Sequence, residues 1–490
     1  MGPVVQTAHG KVRGRTEDGV SAFLGIPYAA PPFGPRRFRP PSPPEPWDGV
    51  RDAVAYGPTA PKPRYPRPYD RLLPDPIIAG DDCLNLNVWT TALGSDAALP
   101  VMVWIHGGAF RNGSGAVEVY NGANFARDGV VCVTLNYRLG VEGFANLPGA
   151  PCNRGLLDQI AALEWVRDNI AAFGGDPSRV TVFGESAGAM SVTALLSLDL
   201  GLFHRAIAQS GAGSLAQTPQ DALLVTAELA ARLGVEPTAE GFASLDPAAI
   251  IPIQSAVATE VAALPDPGRW GATTAAGAMS HTPVLDGELL HVLPQDAIAA
   301  GAGRGVDLLI GSNAEEFRLF LMPNGLAGLL SDDLVGPVAR GMGIPQSICE
   351  AYRDRHPALT AGELLAVLLT EHVFRVPANR TADAHATSGG ATWMYEFAWE
   401  SPNHDLGAAH ALELGFVFDN LHVEESRALA GDNPPRELAE AMHRAWLDFA
   451  VTGDPGWERF DPGARAVKIF DAAANPVQHD PRGDDRKLWT

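Results

Sequence analysis

The sequence predicts an α/β protein built on a mostly parallel sheet with helices on both faces, and two observations carry that expectation. Apolar runs without polar alternation recur along the chain, and segments with helical spacing lie between them. Strands buried on both faces need no polar side, so such runs belong to covered parallel sheets. Residues 100–105 (PVMVWI) and 129–136 (GVVCVTLN) read as the first two buried strands. Residues 156–173 follow with Leu157, Ile160, Ala161, Leu163, Val166 and Ile170 at helical spacing. Gly174-Gly175 ends that helix, and Asp176-Pro177 turns into a strand over 179–183. Further strands are expected over 205–209, 307–310 and 392–397.

Two alanine- and leucine-rich stretches with proline breaks, 219–302 and 325–386, read as helical excursions forming a cap or lid. No repeats or low-complexity tail interrupt residues 1–490, which are expected to form one catalytic unit. The proline-rich stretch 31–46 is expected to pack on the body, because Phe33, Phe38 and the following Trp47 accompany it.

Composition excludes several classes of function. The net charge of −21 disfavours nucleic acid, and the one basic cluster, Arg36-Arg37-Phe38-Arg39, is short and proline-flanked. The four cysteines, Cys83, Cys132, Cys152 and Cys349, lack C-x-x-C spacing, so neither a zinc site nor a redox pair is expected. No apolar run reaches the length of about 18 residues needed for a membrane span. The N-terminus shows no signal-peptide pattern, and the expected location is cytoplasmic, with reduced thiols.

Chemistry enters at Thr181-Val182-Phe183-Gly184-Glu185-Ser186-Ala187-Gly188. A G-x-S-x-G turn between a strand and a helix holds a serine hydroxyl at a tight elbow and offers free helix N–H groups to an oxyanion. An ordinary glycine-rich turn would give the same short pattern, so its context decides. The expected strand 100–105 runs into His106-Gly107-Gly108-Ala109, whose glycines can aim N–H groups into a site beside that of Ala187. A hydrolase serine also needs a base and an acid that orients it, in the order Ser, Asp or Glu, His. After strand 307–310 come Glu315 and Glu316, and either suits the acid. After strand 392–397 come His404, in a polar turn, and His410, whose small neighbours let an imidazole reach a pocket. Phe110, Met190, Phe317 and Phe320 are expected near the pocket, with core packing the competing reading for each.

Longer motifs carry a resemblance. FLGIPYA (23–29), WDGVRDA (47–53), DCLNLN (82–87), NYRLG (136–140), FGGDP (173–177), QSG (209–211) and TGDP (452–455) resemble the type-B carboxylesterases. That α/β-hydrolase family includes cholinesterases and bacterial carboxylesterases, and the chain is most similar to its actinobacterial members over nearly its whole length. The resemblance implies Ser186 as nucleophile, His410 as base and Glu316 as acid, with Phe317 replacing the family's glycine after the acid. It implies an oxyanion hole from Gly107, Gly108 and Ala187, and supporting roles behind the triad for Ser210 and Glu413. It also implies structural ion pairs Asp82–Arg37 and Asp158–Arg138.

The activity so implied is hydrolysis of short-chain, apolar or aromatic carboxylic esters through an acyl-enzyme. An amidase or carbamate hydrolase with the same triad is the alternative, and a non-catalytic binding protein of this fold the remote one. In secreted animal members a disulfide ends at the Cys83 position and closes a loop carrying a cation-binding tryptophan. Here no cysteine precedes Cys83, and no tryptophan lies between Trp47 and Trp89, so choline esters are not expected. No cofactor or metal is expected. The expected partner is a small-molecule ester, with no nucleic acid or membrane, on a monomer or weak homo-oligomer.

Overall fold

Strands without a polar face lie side by side at the centre of the molecule. The computed structural model describes residues 2–489. Its strands are β1 (Val4–Gln6), β2 (Lys11–Arg13), β3 (Arg15–Glu17), β4 (Val20–Pro27), β5 (Val50–Asp52), β6 (Asn85–Thr90) and β7 (Leu99–Ile105). They continue with β8 (Val131–Leu135), β9 (Gly175–Glu185), β10 (Arg205–Gln209), β11 (Asp307–Asn313), β12 (Thr392–Phe397), β13 (Ala466–Phe470) and β14 (Val477–His479). Eleven of them form one sheet in the order β14-β13-β12-β11-β10-β9-β7-β8-β6-β4-β3, while β1, β2 and β5 form a small second one. Neighbours from β8 to β13 are parallel. Antiparallel pairs occupy the two edges.

The sheet buries both faces, as its apolar runs require. Along β7, Val101, Val103 and Ile105 join one core with Leu163, Val166 and Leu195, whereas Met102 and Trp104 join another with Phe183, Phe418 and Trp446. The two helical stretches leave the sheet at the carboxyl ends of β10 and β11. Within 219–302, the helices Pro219–Leu233 and Pro247–Ala263 pack around Val225, Leu229, Val257, Val261 and Trp270. The helices Asp332–Gly341, Gln346–Arg355 and Ala361–Thr370 pack around Val335, Tyr352, Leu365 and Leu368. The proline-rich segment does lie on the body, with Phe38 buried under the guanidiniums of Arg37 and Arg154.

Some boundaries differ from the sequence expectation. Gly174, at φ 86°, makes the turn after the helix Arg154–Asn169 and its 3₁₀ extension Ile170–Phe173 by itself, so β9 already begins at Gly175. The polar residues Gly311-Ser312-Asn313 extend β11 by pairing with Tyr395–Phe397. Strand β6, between β8 and β4, escapes an apolar search because Asn85 and Asn87 are buried polar residues. The Asn85 amide donates to Pro58 O at 2.8 Å, and that of Asn87 donates to Thr134 Oγ1 at 2.9 Å. Pairing removes the penalty of burying them.

One of the two expected ion pairs forms. Arg138 donates to both oxygens of Asp158 at 2.6 and 2.8 Å, and its own backbone N–H bonds the same carboxylate at 3.0 Å, all fully buried. The pair Asp82–Arg37 does not form. Arg37 follows the turn Gly34–Arg36 inward and binds Glu142 at 2.6 Å, while Asp82 faces β5 and pairs with Arg51 at 2.7 Å near the surface. Among the described residues no helix is long and apolar enough to cross a membrane.

Breaking a buried pair strands a charge, whereas a surface pair contributes little. Asp158→Ala is therefore expected to cost about 3–5 kcal/mol in denaturant unfolding, and Asp82→Ala less than about 1 kcal/mol. Equal costs would show that burial does not set the difference.

Candidate active site

The site begins with a strained residue. Ser186, between β9 and the helix Ala187–Leu196, has φ 56° and ψ −125°, where non-glycine residues rarely sit. Such strain costs about 1–3 kcal/mol and persists only where surroundings enforce it. Here Ser186 N–H donates to Gln209 O on β10, and Met190 N–H donates to Ser186 O, both at 2.9 Å. The helix sits so close to β7 that a Cβ on Gly188 would lie 2.0 Å from Ile105 O. Every residue of that helix is buried. The elbow is held from both sides, and its hydroxyl stands at the carboxyl end of the sheet.

The loop after β7 closes against this elbow. A Cβ on Gly107 would lie 2.8 Å from Glu185 O and 3.0 Å from Ser186 Cβ, so only a glycine brings the loop this near. Tyr137 locks its base, donating to His106 O at 2.7 Å and stacking on the His106 ring. Burial lowers His106 to about 3, leaving it neutral. The backbone N–H groups of Gly107, Gly108 and Ala187 donate to no group among the described residues. They form a cluster of free donors beside Ser186, of the kind that holds a developing oxyanion.

His410 and Glu316 meet beside the elbow. His410 Nδ1 lies 2.6 Å from Glu316 Oε2, and Asn313 N–H donates to the other Glu316 oxygen at 2.7 Å. Glu316 is fully buried. The alternatives left open by the sequence sit elsewhere: Glu315 accepts from Ala408 N–H at 3.0 Å, and His404 is exposed in its turn. Phe320 and Phe374 flank the imidazole with ring centroids at 5.3 and 4.8 Å. Phe374 comes from a π-helical turn, Glu371–Arg375, which Arg375 anchors by donating to Ala314 O at 2.6 Å.

The second imidazole nitrogen holds a partner that the sequence reading did not include. His410 Nε2 lies 3.0 Å from Glu185 Oε1, and no hydrogen bond joins it to Ser186 Oγ. Burial by itself would lower the His410 pKa, but the Glu185 and Glu316 carboxylates outweigh it and hold the ring well above ordinary imidazole. Glu185 is raised by burial against the opposing pull of His410. The signal for Glu185 was present as the first variable residue of G-x-S-x-G, an acid ending the buried run 180–184.

Ser210 and Glu413 support the site less directly than expected. Glu413 accepts from Asn313 Nδ2 at 2.7 Å and from Gln209 Nε2 at 3.1 Å, so it steadies the residue whose backbone binds Glu316. Burial, then the Glu185 and Glu316 charges, push Glu413 up to about 8. The Ser210 hydroxyl is buried without a hydrogen-bond partner. Neither side chain hydrogen-bonds to His410 or Glu316; the Asn313 backbone N–H makes the bond to Glu316.

A cavity of about 170 Å³ opens onto Ser186, His410, Gly107 and Gly108. Of the four side chains expected near it, Phe320 lines it and three do not. Phe110 turns into the core against Phe144, Met190 lies on the buried helix, and Phe317 packs on Phe320 and Phe374. The sequence reading missed the wall formed by Tyr65, Leu72, Arg111, Val117, Leu412 and Leu414. These residues come from loops distant in sequence, so no local pattern marks them.

A parallel sheet with a nucleophile elbow at its carboxyl end, a free-donor loop and a histidine–carboxylate pair defines an α/β-hydrolase. The chain belongs to the carboxylesterase family, whose model matches residues 1–479. It is 38% identical to a para-nitrobenzyl esterase of Bacillus subtilis over 99% of this chain and 98% of that protein. It is 34% identical to a phenmedipham hydrolase of Pseudarthrobacter oxydans over 92% and 90%. Among solved structures, the Geobacillus stearothermophilus carboxylesterase EST55 matches with TM-score 0.87 and 38% identity, over 99% of this chain and 100% of that one. The protein is a serine ester hydrolase.

Gly107→Ala would push the donor loop off the elbow while leaving the cores intact. Ester turnover should fall by about 10²–10³-fold, the loss typical of one missing oxyanion donor. Full turnover in that variant would rule out the loop's contact with the elbow as a working feature.

Proposed function

We propose that this chain hydrolyses short-chain or aromatic carboxylic esters with Ser186 as nucleophile, His410 as general base and acid, and Glu316 as the group that orients His410. The observation that carries this reading is the 2.6 Å His410–Glu316 contact, buried beside the strained serine in one cavity. In its neutral form, its Nε2 proton having passed to Glu185 or to solvent, His410 exchanges the Glu185 contact for the Ser186 hydroxyl, one residue further along the chain, and Nε2 takes the hydroxyl proton as Oγ attacks the carbonyl. Gly107, Gly108 and Ala187 N–H groups hold the tetrahedral oxyanion, and Glu316 stabilises the imidazolium. His410 then protonates the leaving alcohol, and water repeats the sequence on the acyl-enzyme. The mostly aliphatic wall, with Leu72, Val117, Leu412 and Leu414, supports an apolar acyl or alcohol group of modest size. We propose the cytoplasm as the site of action, in keeping with four unpaired cysteines.

A fluorophosphonate is expected to label one serine, and Ser186→Ala to lose both the label and turnover of p-nitrophenyl butyrate. Wild-type-like turnover in that variant would sink the proposal. Matched ester, amide and carbamate substrates would reveal an amidase or carbamate hydrolase by a preference for the second or third.

The electrostatics predict a pH profile. A base works only when neutral, and the two carboxylates raise His410, so activity falls with acidification at higher pH than for an ordinary imidazole. Glu185→Gln removes one carboxylate, and the acid limb of kcat/KM should move down by about 1 pH unit or more. An unmoved limb would show that Glu185 does not act on His410.

A further inference from the structure

The cavity wall contains a cation that the chain leaves without a counterion. After Gly108, two left-handed residues in succession, Ala109 (φ 52°) and Phe110 (φ 57°), reverse the chain. Gly140 N–H donates to Phe110 O at 2.7 Å, which pins Phe110 in the core. Arg111 N–H returns to Gly108 O at 3.1 Å, and the Arg111 side chain lines the cavity with Ser186 and His410. The guanidinium therefore stands within one side-chain length of the free donor cluster.

The cavity's acids all have other company. Asp75 binds the buried Lys62 ammonium and accepts from Gly113 N–H at 2.8 Å. Glu185 lies against His410. Glu425 is raised by burial and by its neighbours Glu118 and Glu424, which favours its neutral form. Among the described residues nothing accepts a hydrogen bond from the Arg111 guanidinium, no carboxylate pairs with it, and no aromatic ring lies under it. Its charge acts on Tyr65, a phenol raised by burial, and on His281, lowered to about 3 by burial first and by Arg111 next. Both are uncharged near neutral pH, whereas arginine stays protonated. A half-buried guanidinium with five unused donors is built to hold a planar anion in two-pronged fashion.

We propose that Arg111 determines specificity by binding a carboxylate carried by the ester itself, away from the scissile carbonyl. The substrate class is then esters with a free carboxylate, such as monoesters of dicarboxylic acids or acyl esters of hydroxy acids. This deepens the ester-hydrolase reading above and rests on it. The apolar wall holds the chain or ring between the two polar ends, and Arg111 sets the register of the carbonyl against Ser186.

The test compares isosteric charged and neutral esters: 4-acetoxybenzoate with 4-acetoxybenzamide, and monoethyl adipate with ethyl adipamate. The wild-type charged-to-neutral ratio of kcat/KM should exceed one in at least one pair. Arg111→Gln should lower that ratio by about tenfold to a hundredfold, the range for a lost charge-assisted hydrogen bond, and Arg111→Lys should restore part of it. A ratio unchanged by Arg111→Gln, or below one in both pairs for wild type, overturns the inference. A second arm reads binding without turnover. Adipate, but not adipamide, should raise the unfolding midpoint of wild type more than that of Arg111→Gln. Arg111-dependent stabilisation by adipate with no hydrolysis of any ester would overturn the esterase reading and keep the anion site; hydrolysis without any dependence on Arg111 would do the reverse.

Discussion

The strained backbone at Ser186 is the constraint on which the rest of the site depends. A residue at φ 56° and ψ −125° relaxes unless its neighbours forbid it, and here β10 binds its N–H while the helix Ala187–Leu196 lies hard against β7. That helix is buried along its whole length, so the burial free energy of a large core maintains a local strain of a few kcal/mol. The return is placement. Ser186 lines the same cavity as Gly107 and Gly108, and Ala187, the first residue of the helix, follows it directly.

Charge balance around His410 is the second organising feature. Glu185 and Glu316 flank one buried imidazole, and Glu413 stands behind them on Asn313 and Gln209. Three buried carboxylates cannot all remain ionised beside one cation, and the site resolves this by keeping Glu413, at about 8, protonated near neutral pH. Glu316 is committed by two short contacts, which leaves Glu185 as the carboxylate competing with Ser186 for the imidazole. The resting site is then an ion pair, so His410 must first give up its Nε2 proton, to Glu185 or to solvent, before that nitrogen turns to Ser186 and takes its proton.

Much of this was legible in the sequence because the central strands are apolar and local. The strands now numbered β7 to β12 announced themselves by composition, the loops after β7, β9 and β12 offered Gly107, Gly108, Ser186 and His410, and the family resemblance chose Glu316 over Glu315 on the loop after β11. What stayed hidden was carried by tertiary contact. Strand β6 alternates polar and apolar residues, and its Asn85 and Asn87 are buried because they find partners. Arg37 and Asp82 chose other partners because a turn carries one inward and leaves the other by β5. The pocket was read wrongly for Phe110, Met190 and Phe317 because closeness in sequence to a catalytic element does not say which face a side chain takes. At Ala109-Phe110 the left-handed pair sends Phe110 into the core and leaves Arg111 on the wall.

The central claim is that the elbow aims Ser186 at three preorganised N–H groups and that His410 leaves Glu185 to serve it. A crystal structure of the phosphonate adduct tests this most directly, since its phosphoryl oxygen stands in for the oxyanion of the tetrahedral intermediate. Phosphorus is expected on Ser186 Oγ, with that oxygen about 2.7–3.1 Å from the nitrogens of Gly107, Gly108 and Ala187. His410 Nε2 is expected to have turned to Ser186 Oγ. An oxygen bound elsewhere, or an imidazole still on Glu185 in the adduct, would contradict it.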